Sequence, residues 1–270
     1  MSIQYSMKMN RMTVDKLGVK LYDRVYAVLA ELISNSYDAD AQSVVIKAPM
    51  GQYLAVRHDG VVQSKDVTIE VEDDGSGMTP QELQDFYLVV GKERRTDPKR
   101  GDKSKIYKRA VMGRKGVGKL APFGVCRFVE VLSAGGEKIT ENNITGYRTA
   151  HIIMDKNVMI SDTSDIYHPT VGEMDGKLSD KTYTKVILRE FDFRKIGSIE
   201  ELSRQLAQRF GLAVVGKLDH KVLHGAAGIG YLVSDDDGIG VDALDVGEVD
   251  ALHDAFDAVE HGVERAAHQV

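Results

Sequence analysis

The chain has 270 residues, 43% hydrophobic and 28% charged, the composition of an ordinary globular protein with one large domain or one domain plus an appendage. Cys126 is the only cysteine, which excludes an intrachain disulfide and a cysteine-based zinc site and points to a thiol packed as a small hydrophobe. No stretch approaches the ~18 uninterrupted apolar residues of a membrane span. The N-terminal segment lacks the apolar core of a signal peptide, so a cytoplasmic location and no membrane partner are expected.

The formal net charge of −6 is unevenly spread. From Gly211 onward there are 12 Asp/Glu against 3 Lys/Arg, and five of the eight histidines lie there too. The structure is expected to change with the composition near residue 211. A domain over residues 1–210 and an acidic appendage or truncated remnant over 211–270 is the expected division.

Taken in order, Leu21, Val25, Val28, Leu29, Leu32 and Ile33 recur at helical spacing up to Tyr37. Val44, Val45 and Ile46 form a short β-branched run, and Val67, Ile69 and Val71 alternate with polar residues at the period of a half-buried strand. Thr79, Pro80 and Glu82 supply an N-cap, a first-turn proline and a capping-box glutamate, predicting a helix to about Val90. Residues 91–112 are polar and basic without a clear period, and read as a long loop. Strands are predicted over residues 127–132, 148–154 and 184–190. Ser198 and Glu201 open a last helix that ends before Gly211, and residues 250–267 have the pattern of an amphipathic helix. Helix followed by several strands, without regular βαβ alternation, argues for an α+β layer fold.

Three separated segments carry candidate chemistry. In ELISNSYDA, beginning at Glu31, a helix turning ~100° per residue gathers Glu31, Asn35 and Asp38 in a narrow arc beside the apolar stripe. That arc places them at the rim of a packed face; taken alone, the same residues read as a solvated helix surface. In DDGSGM, beginning at Asp73, a carboxylate closes a strand and Gly75 and Gly77 permit backbone conformations that a Cβ disfavours, although a plain Asp-Gly turn has the same letters. A dinucleotide fingerprint fails because Pro80 stands where a glycine is needed. In GRKGVGK, beginning at Gly113, backbone N–H groups of a glycine-rich loop entering a helix can cradle anions, with Lys115 and Lys119 adding charge. The P-loop alternative lacks its hydroxyl, since Leu120 occupies the Ser/Thr position.

Together, and with Thr184 at the head of TKVIL, these motifs resemble the ATPase superfamily of DNA gyrase B, ninety-kilodalton heat-shock chaperones, sensor histidine kinases and MutL. The resemblance covers roughly residues 15–190. It implies a Bergerat fold: a two-layer α/β sandwich with a mixed, mostly antiparallel sheet covered on one face by helices. It further implies ATP and Mg²⁺ as ligands, Glu31 as the residue polarising the attacking water, and Asn35 as the magnesium ligand. By the same resemblance Asp73 receives the adenine amine near Gly75, Gly77, Met78 and Thr184. Asp38, Gly113, Lys115, Gly116, Val117, Gly118 and Lys119 then belong to the nucleotide-binding set.

Residues 91–115 carry 11 Lys/Arg against three acidic residues. A lid over the nucleotide, a nucleic-acid contact and a solvated loop all remain open for them. His220 and His224 have the spacing of a helical metal pair but lack companion ligands, and read as a surface pair. A histidine kinase would need a phosphoacceptor histidine before the first motif; no histidine precedes His58, so autophosphorylation within this chain is not expected. Glu31 points to the hydrolysing branch, with the bacterial chaperone-like ATPases most similar. The expected function is slow ATP hydrolysis driving a chaperone-like clamp, with an ATP-dependent homodimer and a client protein as candidate partners. Alternatives are a DNA-associated ATPase of repair or anti-phage defence, of the MutL or microrchidia kind, and a non-hydrolysing interaction module.

Overall fold

The computed structural model describes residues 6–8, 24–91, 101–113, 116–161, 166–210, 213–217, 220–224 and 230–234. Helix α1 (Val25–Asp38) buries Val25, Val28, Leu29, Leu32 and Ile33 along the stripe read from the sequence, at roughly 1.5–3 kcal/mol for each large aliphatic chain. It stops where Ala39 N–H bonds back to Asn35 and Ser36 carbonyls and Asp40 turns left-handed at φ 64°. Leu21 lies outside the described residues.

Strand β1 (Ser43–Lys47) follows, then a hairpin of β2 (Ala55–His58) and β3 (Val61–Ser64). Asp59 and Gly60 both have positive φ, 47° and 82°, the demand of a tight hairpin turn. This Asp-Gly signal was legible, yet the hairpin is an addition to the expected elements. Strand β4 (Ile69–Asp73) buries alternate residues and leads to Thr79, whose hydroxyl caps Glu82 N–H while Glu82 caps Thr79 N–H. The helix expected to reach Val90 is shorter. After Pro80–Glu82 it widens into a π-turn over Leu83–Tyr87, and Lys119 Nζ takes the Phe86 and Val89 carbonyls at 2.8 and 2.7 Å. A cation from a distant loop satisfies the carbonyls that another helical turn would have used.

The main sheet then gains β5 (Cys126–Ala134), β6 (Ile144–Asp155) and β7 (Tyr183–Phe191), in the spatial order β6-β5-β7-β4-β1 with every neighbour antiparallel. Val129, Val131, Ile152, Met154, Val186, Leu188, Ile69, Val71, Val44 and Ile46 share one core with α1 and with Leu202 and Leu206 of α2 (Ile199–Phe210). The alternate residues are polar and paired, as in Lys185–Glu70 at 2.7 Å and Arg189–Glu130 at 2.6 Å. One face of the sheet is thus built for helices and the other for charge, as an α+β two-layer fold requires. Cys126 is buried, and burial pushes its thiol pKa up, which keeps it an inert packing group.

Beyond α2 the backbone continues as β8 (Ala213–Lys217), β9 (His220–His224) and β10 (Gly230–Ser234), and β10 pairs with β1 in parallel. The expected boundary at residue 210 therefore falls inside the sheet, because ladder hydrogen bonds formed by 230–234 extend its edge regardless of composition. His220 and His224 lie on a strand, so helical spacing does not relate them. Residues 250–267 lie outside the described residues. Ending the chain at residue 211 should leave β1 as an unpaired edge, lowering the thermal midpoint by several degrees or causing aggregation. Ending it after residue 237 should leave the midpoint near that of the parent, as a thermal melt of both truncations will show.

Candidate functional site

Register places three polar side chains in one row at one end of the sheet. Asp73 lies opposite Thr184 in β7, and Thr184 lies opposite Ser133 in β5. Asp73 shares the inward parity of Ile69 and Val71, so its carboxylate is buried at 7% exposure. Ser36 of α1 donates to Asp73 Oδ2 at 2.8 Å, Gly75 N–H donates to Oδ1 at 3.0 Å, and the Thr184 backbone adds a further hydrogen bond. Burial pushes the Asp73 carboxyl up to about 6 against these hydrogen bonds, which pull it down. Ser133 Oγ receives Met78 N–H at 2.9 Å and lies 2.9 Å from Thr184 Oγ1. Asp74 plays another part: Oδ1 accepts Gln42 and Ser43 N–H, both at 2.8 Å, and fixes the entry to β1.

The glycines beside Asp73 are there for space. A Cβ on Gly77 would fall 1.9 Å from the Ala134 carbonyl oxygen, at a φ of 58°. One on Gly75 would fall 2.8 Å from the Ala39 carbonyl oxygen. Gly77→Ala should therefore displace the loop, costing ~1–3 kcal/mol and weakening ligand binding. Gly51→Ala is the control, since Gly51 has a φ of 72° but nothing within 4 Å of its Cβ position. Equal melting losses in the two variants would show that backbone strain alone, rather than close approach, accounts for Gly77.

The polar arc of α1 faces the second half of the site. Asn35 is exposed on the wall of a cleft of roughly 1360 Å³ that Glu31, Asp38, Asp73, Gly77, Met78, Gly113, Gly116, Val117, Gly118, Lys119 and Thr184 also line. Glu31 is turned to the phosphate end proposed for the glycine loop: a Cβ on Gly118 would lie 2.6 Å from its Oε2. Asp38 keeps a place in the cleft lining but is turned inward. It is buried, and it accepts Met112 and Gly113 N–H at 2.7 and 3.0 Å, so it anchors the start of the loop.

The loop enters a 3₁₀ helix (Gly118–Gly124) rather than an α-helix, and residues 101–113 before it form no strand of the kind a P-loop requires. Lys119 Nζ donates to the π-turn carbonyls, a structural role. Lys115 lies outside the described residues.

Part of the basic segment is docked against the end of α1. Asp40 accepts Ile106 and Tyr107 N–H, and Arg109 donates to the Ala41 carbonyl at 2.9 Å while lying over the rings of Tyr37 and Tyr107. Burial pushes the Asp40 carboxyl up, but hydrogen bonds from the Ser104 side chain and the Ile106 and Tyr107 backbone, with Arg109 beside them, outweigh it and hold the group below the usual carboxylate range. Lys103, Lys105 and Lys108 line the cleft from this segment. Residues 92–100 lie outside the described residues.

Ser36, Ser133, Asp40 and Arg209 escaped the sequence reading. Only Ser133 had a local signal, the inward alternation of Val129 and Val131 carried two residues further. The donor set suits magnesium delivered on phosphates, which takes few protein oxygens and keeps its waters, and Asn35 offers one amide oxygen at the cleft wall. Among the described residues no three His, Cys, Asp or Glu side chains gather into a metal cage.

Residues 22–179, more than half of the chain, match the family model described as "Histidine kinase-, DNA gyrase B-, and HSP90-like ATPase". The chain is also 30% identical over 209 residues to the "Putative type II restriction enzyme HgiDII" of Herpetosiphon aurantiacus. That match covers 76% of this chain and 29% of the relative, so the chain spans under a third of the relative's length. Among the described residues no helix is long and apolar enough to cross a membrane.

Proposed function

Because the chain belongs to the ATPase family of histidine kinases, DNA gyrase B and HSP90, we propose that it binds Mg–ATP in this cleft and hydrolyses it slowly. The observation that carries the reading is the convergence of Glu31, Asn35, Asp73, Gly77, Gly113, Gly118 and Thr184, drawn from four separate segments, on one cavity. In this reading Asp73 accepts the adenine exocyclic amine, with Thr184 and Ser133 beside it and Gly75, Gly77 and Met78 forming the floor. Backbone N–H groups of residues 116–119 hold the phosphates. Asn35 holds magnesium, which supplies charge neutralisation at the phosphate oxygens when bound. Glu31 takes the proton of a water that attacks the terminal phosphorus, the bond from that phosphorus to the bridging oxygen breaks, and ADP leaves.

In this reading hydrolysis drives a conformational change, and two settings compete for it. The similarity to a putative restriction enzyme favours a DNA-associated role, of the restriction or defence kind, over a chaperone-like clamp. The basic segment, with Lys103, Lys105 and Lys108 beside the cleft, supports polyanion binding in either setting. ATP-dependent homodimerisation through this face is part of the same proposal. ATPase rates measured with and without duplex DNA separate the settings: stimulation that weakens as salt rises is expected for the DNA-associated reading. An unchanged rate at low salt would return the preference to a protein client. No turnover at all would leave a nucleotide-dependent interaction module.

A further inference from the structure

Arg209 stands in the last turn of α2, and its Nη2 donates to Glu31 Oε1 at 2.7 Å. Glu31 Oε2 points the other way, toward the glycine loop, with no room for a Cβ on Gly118. The carboxylate is therefore wedged between a guanidinium and a backbone turn, with both side chains lining the cleft. The pair joins residues 178 apart in sequence, and its side chains are 44% and 21% exposed. Ion pairs that open to solvent contribute ~0–1 kcal/mol to stability, so fold stability is a poor account of it. Orientation is a better one.

We propose that Arg209 is a positioning residue for Glu31, fixing which carboxylate oxygen faces the cleft and offsetting its charge beside a polyphosphate. This rests on the reading of Glu31 as the group that activates water. An unrestrained glutamate has three rotatable torsions and is repelled by the phosphates it must approach. The guanidinium removes both difficulties by holding Oε1, so that Oε2 alone is presented. Helix α2 also lies against β8, β9 and β10, so this ion pair is one of the contacts through which that sheet edge is linked to α1 and Glu31.

The test measures steady-state ATP hydrolysis and ADP affinity in the full chain for Arg209→Ala, Arg209→Lys, Glu31→Gln and the Glu31→Gln/Arg209→Ala double variant. Arg209→Ala is expected to lower kcat about 10- to 100-fold, the scale of a misplaced reacting group. ADP, which lacks the terminal phosphate, should bind within about twofold of the parent affinity. Arg209→Lys should recover part of the lost kcat. In the Glu31→Gln background the arginine change should lower the residual rate by less than about threefold, as for residues acting as one unit.

A parental or raised kcat in Arg209→Ala would overturn the proposal, as would a full multiplicative effect in the double variant. Where Arg209→Ala also loses ADP binding, Arg209→Lys decides, and a parental kcat there counts against positioning by a guanidinium. A parental rate in Glu31→Gln removes the hydrolytic role of Glu31 and this proposal together, whereas an inactive Glu31→Gln with unaffected Arg209→Ala removes the proposal alone.

Discussion

Glu31→Ala should retain ATP binding and lose turnover by ~10²–10⁴, the usual contribution of a positioned general base. The geometry separates the two effects. Glu31 lies on α1 against Gly118, five residues before Ser36, the helix residue that bonds the buried Asp73 carboxylate. Its removal takes nothing from the adenine end and relieves the phosphates of a neighbouring negative charge, so affinity should hold or rise. Asn35, one helical turn further along α1, should behave differently: Asn35→Ala should weaken binding only when magnesium is present. Calorimetry of ATP binding beside a phosphate-release assay reads both quantities. Parental turnover in Glu31→Ala would reassign the chemistry and leave a binding module.

The second large effect falls at the other end of the site. Asp73→Asn should weaken ATP binding roughly 10- to 100-fold, the scale of losing an acceptor to a charged hydrogen bond in a buried place. Both carboxylate oxygens already accept, from Ser36 and from Gly75. An asparagine must therefore set its N–H₂ group against one of these donors or against the adenine amine. The same group predicts a pH dependence. Its folded pKa of about 6 lies above the ordinary value of 3.8. Its contribution to fold stability is therefore fully present below about pH 4 and is lost as pH rises through about 6.

Binding runs the opposite way, because the adenine amine needs the ionised form. Affinity should fall by up to about tenfold per unit as pH drops below 6, with proton release on binding. Titration at several pH values, with Asp73→Asn as the control for ionisation of the phosphates, checks this. A parallel slope in that variant would take Asp73 out of the linkage.

How far the site was legible varies with the distance over which its geometry is set. Glu31 and Asn35 were placed by helical periodicity, and the structure keeps them on one wall of one cleft. Asp73 was singled out through the resemblance to the ATPase superfamily, and strand alternation explains the choice: residue 73 points inward with Val71, whereas Asp74 turns back to cap β1. Asp38 obeys the same helical arc but is drawn in by two backbone amides from residues 112 and 113, which periodicity cannot foresee. Lys119 sits in a phosphate-loop pattern yet bonds to the carbonyls of a distant π-turn, where the sequence pattern suggested an ordinary helix.

Local rules thus determined helix α1, the core strands and the carboxylate at the strand end, because each depends on backbone preference and side-chain period over a few residues. Only the tertiary structure decided the rest. Sheet register set Asp73, Thr184 and Ser133 in one row. Strand pairing carried residues 230–234 to β1 across a change of composition that suggested a boundary. The return of α2 brought Arg209 to Glu31 from 178 residues away. Ladder hydrogen bonds and ion pairs between distant segments form wherever two surfaces meet, and their partners leave no periodic trace in either segment.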